Sequence, residues 1–236
     1  MYNGPGQFQN YSSPLQQSGS AAASLMQRVS YMLCTALLVT AGCAYVGQGF
    51  SPGLFWPFAI GTFVCIFGIN ATRANPALSG ILLYALSALE GFLIGPMIGA
   101  ITHGFNYGGI IVAEAAGLSG IIIAGIGSYV WISNKDFGFM GKALFFALLG
   151  IILVSIVSFF WHSLAALPGF ELGISMLIVV VFVGFALYDF SNIKHRYGPQ
   201  DYVIATVALY LDFLNLFMAI LNILMMLTGG GGRRRN

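Results

Sequence analysis

Leu209-Tyr210-Leu211-Asp212-Phe213-Leu214-Asn215-Leu216-Phe217 lies in the middle of an apolar run from Tyr202 to Leu227. A run of that length predicts a membrane-crossing helix, because ~20 residues span the hydrocarbon core. A carboxylate at that depth costs at least ~2.5–3.5 kcal/mol on insertion scales, so Asp212 requires an interior partner, a water-filled cavity or a proton. At ~100° per residue, Asp212, Asn215 and Asn222 share one arc with Ala208 and Ala219. The opposite arc is Leu, Phe, Ile and Met. The pattern predicts a helix that turns a polar, small-residue stripe into a bundle. A second acid, Asp189, closes the preceding apolar run as Tyr188-Asp189. These two acids form the leading candidate pair.

Composition extends the reading to the whole chain. Of 236 residues, 58% are hydrophobic and 7% charged, against ~25% charged in a soluble globular protein. With a mean hydropathy of +0.87, the chain reads as an all-α polytopic membrane protein of six to eight helices in one domain. The net charge of +2 is spread along the sequence and suggests no nucleic-acid partner. Cys34, Cys43 and Cys65 fall inside apolar runs without metal-ligand spacing, so they read as packing residues. No organic cofactor is implied.

In chain order, residues 1–25 are polar and low in complexity, and predict a disordered tail. Thr40-Ala41-Gly42-Cys43 faintly resembles a lipoprotein cleavage site, but Thr40 stands where Leu is usual and the preceding region is long. Apolar runs follow at about 29–46, 54–71, 77–101, 108–133, 142–161, 173–190 and 202–227. They predict a seven-helix transmembrane domain over residues 26–228, with a flexible Gly/Arg tail at 229–236. In the third run, Gly91, Gly95 and Gly99 stand four residues apart beside a kink-prone Pro96. That ladder predicts close approach of another helix.

Basic residues set the orientation. Arg28, Arg73, Lys135, Lys142, Lys194 and Arg196 all lie on one side if the N-terminus is cytoplasmic, and the loops at 48–53, 102–107 and 162–172 contain none. Seven crossings put Arg233-Arg234-Arg235 on the other side. A re-entrant last run would instead return that tail to the cytoplasm.

Several strings suggest catalysis and fail on inspection. Gly117-Leu118-Ser119-Gly120 resembles a rhomboid serine-protease string, yet His103, His162 and His195 all sit at helix ends or in loops, leaving Ser119 no evident base. It reads as a packing residue. Asp189 and Asp212 also suggest an intramembrane aspartyl protease. That family places Gly-x-Gly before its second Asp, where this chain has Tyr210-Leu211, and Pro76-Ala77-Leu78 precedes the third helix instead of following Asp212. A retinal protein needs a mid-membrane Lys, and no run interior has one. Glu90 and Glu114 sit several residues inside their runs, and with Asn215 are candidates for a cation or proton pathway. Arg73 is either a topology charge or an ion-pair partner for Asp189 near the same membrane face.

Tyr188-Asp189, the string Tyr210–Phe217 and Leu89-Glu90-Gly91-Phe92-Leu93-Ile94-Gly95-Pro96 resemble the Bax inhibitor family, its bacterial branch in particular. The resemblance covers roughly Met26–Leu227. It implies six helices around a central seventh and a pH-sensitive calcium leak. It further implies a latch in which Asp189 and Asp212 share a proton and Arg73 pairs with them. The same two carboxylates are the candidate calcium ligands, since calcium takes hard oxygen donors. Calcium is thus the expected cargo, and membrane lipid the expected surroundings. Some bacterial members modulate a membrane protease, which makes an interaction role the first rival. A proton-coupled transporter is the second, although the internal repeat usual for one is absent. The expectation is a non-enzymatic, multi-pass protein of the cell inner membrane.

Overall fold

The computed structural model describes residues 14–133, 135–161, 167 and 169–228. Seven helices make up the chain over these residues: α1 (Pro14–Gly47), α2 (Phe55–Ala71), α3 (Pro76–Gly104), α4 (Gly108–Ser133), α5 (Gly141–Phe160), α6 (Phe170–His195) and α7 (Tyr202–Thr228). No strand occurs among the described residues. All but α2 are long and apolar enough to cross a membrane. α2 has 17 residues, at the lower limit of ~17–25 for a crossing.

Local chemistry fixes the helix ends. At the start of α3, Asn75 Oδ1 accepts the Leu78 N–H at 3.3 Å, and Pro76 occupies the first turn, where no helical N–H is required. α6 is preceded by Gly169 at φ 77°, a left-handed conformation that favours glycine.

α7 is the central helix. Of its most apolar 18 residues 67% are buried, against 11% to 28% in the other five long helices. It packs chiefly against α1, α4 and α6, and more lightly against α3. α2 lies on α3, and α5 on α6. The bundle is thus four helices around one with two outside them, rather than an even ring of six. Outer faces such as Phe146 and Leu153 on α5 are 69% and 62% exposed, as lipid-facing side chains are.

The glycine ladder works as expected. A Cβ on Gly91 would stand 2.5 Å from the Thr40 carbonyl oxygen, and one on Gly95 2.8 Å from that of Ala44. Only hydrogen at these positions lets α1 and α3 meet backbone to backbone.

Two boundaries differ from the sequence reading, and the last helix agrees with it. α1 begins at Pro14, inside the segment expected as a tail; residues 1–13 and 229–236 lie outside the described residues. α6 continues to His195, because Ser191 and Asn192 are buried against neighbours and prolong the helix beyond its apolar run. Asp189 is therefore interior to α6 and not its last residue. α7 is unbroken over 27 residues, about 40 Å at ~1.5 Å per residue, enough to cross without re-entry.

Three basic residues expected on one side, Arg28, Arg73 and Arg196, do gather at one end of the bundle. Arg28 lies over the Tyr202 ring, Arg73 pairs with Asp201 and Arg196 with Asp136. The α2–α3, α4–α5 and α6–α7 connections thus share a face.

Candidate functional site: a buried carboxylate pair and an acidic cavity

The short turn between α6 and α7 makes them antiparallel neighbours, and Asp189 and Asp212 meet across their contact, each carboxyl within hydrogen-bonding reach of the other. They are 8% and 3% exposed. Two bare carboxylates at that range repel, whereas a proton held between them makes the contact a hydrogen bond. Asp212 Oδ2 has no hydrogen-bond partner among the described residues. The side chain of Asn192 also lies within hydrogen-bonding reach of Asp189, three residues on and so on the same helix face.

From Asn192 the polar contacts continue to the surface. Its Oδ1 accepts from Arg196 Nη1 at 3.2 Å. Arg196 in turn forks onto Asp136, Nη1 to Oδ1 at 2.8 Å and Nη2 to Oδ2 at 2.7 Å. Asp136 Oδ1 also accepts from Ser191 Oγ and from the Gly138 N–H. The guanidinium, then the Gly138 N–H and the Ser191 hydroxyl, hold Asp136 well below the usual carboxylate range.

Arg73, expected on the aspartate pair, is elsewhere. Its Nη2 and Nε donate to Asp201 Oδ1 at 2.8 and 3.1 Å. Asp201 immediately precedes α7 and lies in the turn facing the α2–α3 loop, so it intercepts Arg73 before Asp189 is reached. Burial pushes Asp201 up, but the Gly198 N–H and Arg73 outweigh it and leave the group below its ordinary value. Between the two sites stands Tyr197, within electrostatic reach of Asp189, Arg73 and Asp201. Burial, then Asp189 and Tyr188, push its phenol up to about 12, so it stays neutral. The arginine that reaches toward the carboxylates is Arg196, through its bond to Asn192.

Glu90 and Asn215 do come together, in the lining of a cavity of about 700 Å³ at the opposite end, between the α1–α2 connection, α3 and α7. The cavity stops at Leu211 and Leu214, and neither Asp189 nor Asp212 lines it. Glu114 does not belong there. It is exposed on the outer face of α4, because the buried face of that helix is set by Ile111, Ala115 and Ser119. The polar stripe on α7 therefore divides: Asp212 meets α6, Asn215 lines the Glu90 cavity, and Asn222 lines a smaller space with Glu171.

Two further polar groups hold α7 in place. Tyr210, fully buried, shares a 2.7 Å hydrogen bond with Thr40 Oγ1, which also lies 3.0 Å from the Ser87 carbonyl oxygen. Neither was distinguishable in sequence from the surrounding apolar pattern. Ser119 donates to the Ala115 carbonyl at 2.7 Å, as a packed helix serine does. No group of three or more His, Cys, Asp or Glu able to hold a metal occurs among the described residues; Asp189 and Asp212, the candidate calcium ligands, stand as a pair.

Fold and site together define a multi-span α-helical membrane protein with a buried carboxylate pair beside its central helix. Residues 22–229 match the family model for Inhibitor of apoptosis-promoting Bax1, and the chain belongs to the Bax inhibitor family. An uncharacterized membrane protein of Vibrio cholerae is 32% identical over 83% of this chain and 86% of its own length. Bax inhibitor 1 of Schizosaccharomyces pombe is 30% identical over 94% and 83%, and mouse Protein lifeguard 4 is 30% identical over 74% and 69%.

Proposed function

We propose that this protein is a pH-sensitive calcium leak of the inner membrane, with its N-terminus and basic face cytoplasmic and no catalytic chemistry of its own. The observation that carries the reading is the contact between Asp189 and Asp212 on adjacent helices, both buried. With one shared proton the pair ties α6 to the central helix. A second proton removes the charge that makes the shared bond strong, and loss of the last proton leaves two carboxylates repelling each other. Either change loosens α6 from α7 near the basic face. The Glu90 cavity then gains a route past Leu211 and Leu214 toward the cytoplasm. Calcium, as cargo, suits a route of carboxylate, amide and carbonyl oxygens.

The test is calcium influx into liposomes holding only this protein, measured across a pH series. The expected result is a slow flux down the gradient that changes with pH. A stoichiometric complex with a membrane protease and no flux from the protein alone favours the interaction role instead. Flux that strictly requires a proton gradient favours a transporter.

A further inference from the structure

We propose that the cavity at the end opposite the basic face is a binding site for a hydrophobic organic cation, an ammonium carrying an aromatic or alkyl group. Glu90 supplies the anion. It is half-buried, and its carboxylate makes no hydrogen bond or ion pair among the described residues. A carboxylate in apolar surroundings needs a counter-charge or a proton, and no Lys, Arg or His among the described residues lines the space. The site therefore selects positive charge.

The walls select the kind of cation. Phe50, Phe58 and Phe92 form a packed aromatic corner, with ring centroids 6.0, 5.3 and 5.4 Å apart, and all three line the cavity. Aromatic faces attract poorly hydrated ammonium groups through the ring quadrupole. A resident calcium ion needs six to eight oxygen ligands. Beyond backbone carbonyls, the described residues of this lining offer only the Glu90 carboxylate, the Asn215 amide and the Ser51 hydroxyl. Asn215 is partly committed as well, since its Nδ2 donates to the Leu211 carbonyl at 2.8 Å. Hydrated calcium can pass through such a space, but a soft cation with an apolar body fills it better. About 700 Å³ lies in the ~300–1,000 Å³ range of small-molecule cavities.

The assignment adds a ligand class to the proposed leak route, and its binding arm does not depend on that route being a leak. Benzyltrimethylammonium is titrated calorimetrically into the full-length protein in nanodiscs, beside its uncharged isostere neopentylbenzene and empty nanodiscs. Saturable binding of the cation is expected, with the neutral isostere at least tenfold weaker. Glu90→Gln should weaken cation binding at least tenfold and leave the isostere unchanged, while Glu90→Asp retains part of the affinity. Phe58→Leu should weaken the cation more than the isostere. Equal affinity for the two compounds, or unchanged cation binding in a folded Glu90→Gln, overturns the site. Binding without calcium flux strikes the leak reading alone, and flux without binding strikes this site alone.

Discussion

Arg196 Nη1 donates to Asn192 Oδ1 at 3.2 Å, and the Asn192 side chain lies within hydrogen-bonding reach of Asp189. One buried amide thus joins a surface guanidinium to the carboxylate pair. Asn192 is 3% exposed, so Asn192→Leu removes the amide beside Asp189 without readmitting water. Leaving a buried acceptor unsatisfied costs ~1–3 kcal/mol. Thermal unfolding should show a loss of that order, and the pH midpoint of calcium flux should move. An unchanged midpoint would separate the relay from gating.

The Arg73–Asp201 pair predicts a different outcome. Arg73's side chain is 57% exposed, and ion pairs of that kind contribute little to stability. Arg73→Ala and Asp201→Asn should each lower the melting temperature slightly and show coupling in a double-mutant cycle. Arg73 and Asp189, which do not pair, should show none. A larger coupling between Arg73 and Asp189 than between Arg73 and Asp201 would restore the arginine to the latch.

The surface acids also mark where pH sensing does not lie. Asp136 and Asp201 are both held below their ordinary value in the folded protein. A depressed acid contributes stability that is fully present above its unfolded pKa of ~3.9 and is lost as pH falls through the folded value. Between pH 5 and 8 both clamps therefore stay formed. The destabilisation caused by Asp136→Asn should be constant over that interval and shrink on further acidification. A destabilisation that varies between pH 5 and 8 would place a sensor in the clamp.

The legible parts were those with strong local physics. Seven apolar runs gave seven helices, the depth of Asp212 demanded a partner, and the four-residue glycine spacing gave the α1–α3 contact. Asp189 was legible as that partner because consecutive helices are antiparallel neighbours. That Arg73 pairs with Asp201 was not legible, for a physical reason. Topology placed Arg73, Asp189 and Asp201 near one face, but could not say which acid the guanidinium meets first. Ser191 and Asn192 looked like a helix end because the apolar run stops there, although tertiary contacts continue the helix through them. Glu114 and Glu90 are equivalent in sequence, several residues inside an apolar run. Only packing distinguishes the face of α4 turned outward from the face of α3 turned to a cavity.

Two glycines make a prediction with opposite signs, Gly91 in the ladder of α3 and Gly117 on α4. At Gly91 an added Cβ would meet the Thr40 carbonyl at 2.5 Å, while at Gly117 nothing lies within 4 Å. Overpacking costs ~1–3 kcal/mol, whereas Ala gains up to ~1 kcal/mol over Gly in an open helix position. Gly91→Ala should therefore lower thermal stability and Gly117→Ala should hold or raise it. Equal effects would mean that α1 and α3 yield at the contact.

The carboxylate pair makes the most exposed prediction. If Asp189 and Asp212 hold one proton between them, they titrate as a unit and neither has a pH response of its own. Asp189→Asn leaves an amide opposite Asp212. An amide can donate a hydrogen bond to a carboxylate, so the helices stay joined at every pH and the switch is lost rather than the fold. Asp212→Asn does the same from the other side. Each variant should flatten the pH dependence of calcium flux, and the double variant should add little to either, because one coupled element has already been removed. Additive effects would describe two independent acids. Wild-type pH profiles in both single variants would leave the pair as buried polar packing, with the sensor elsewhere in the bundle.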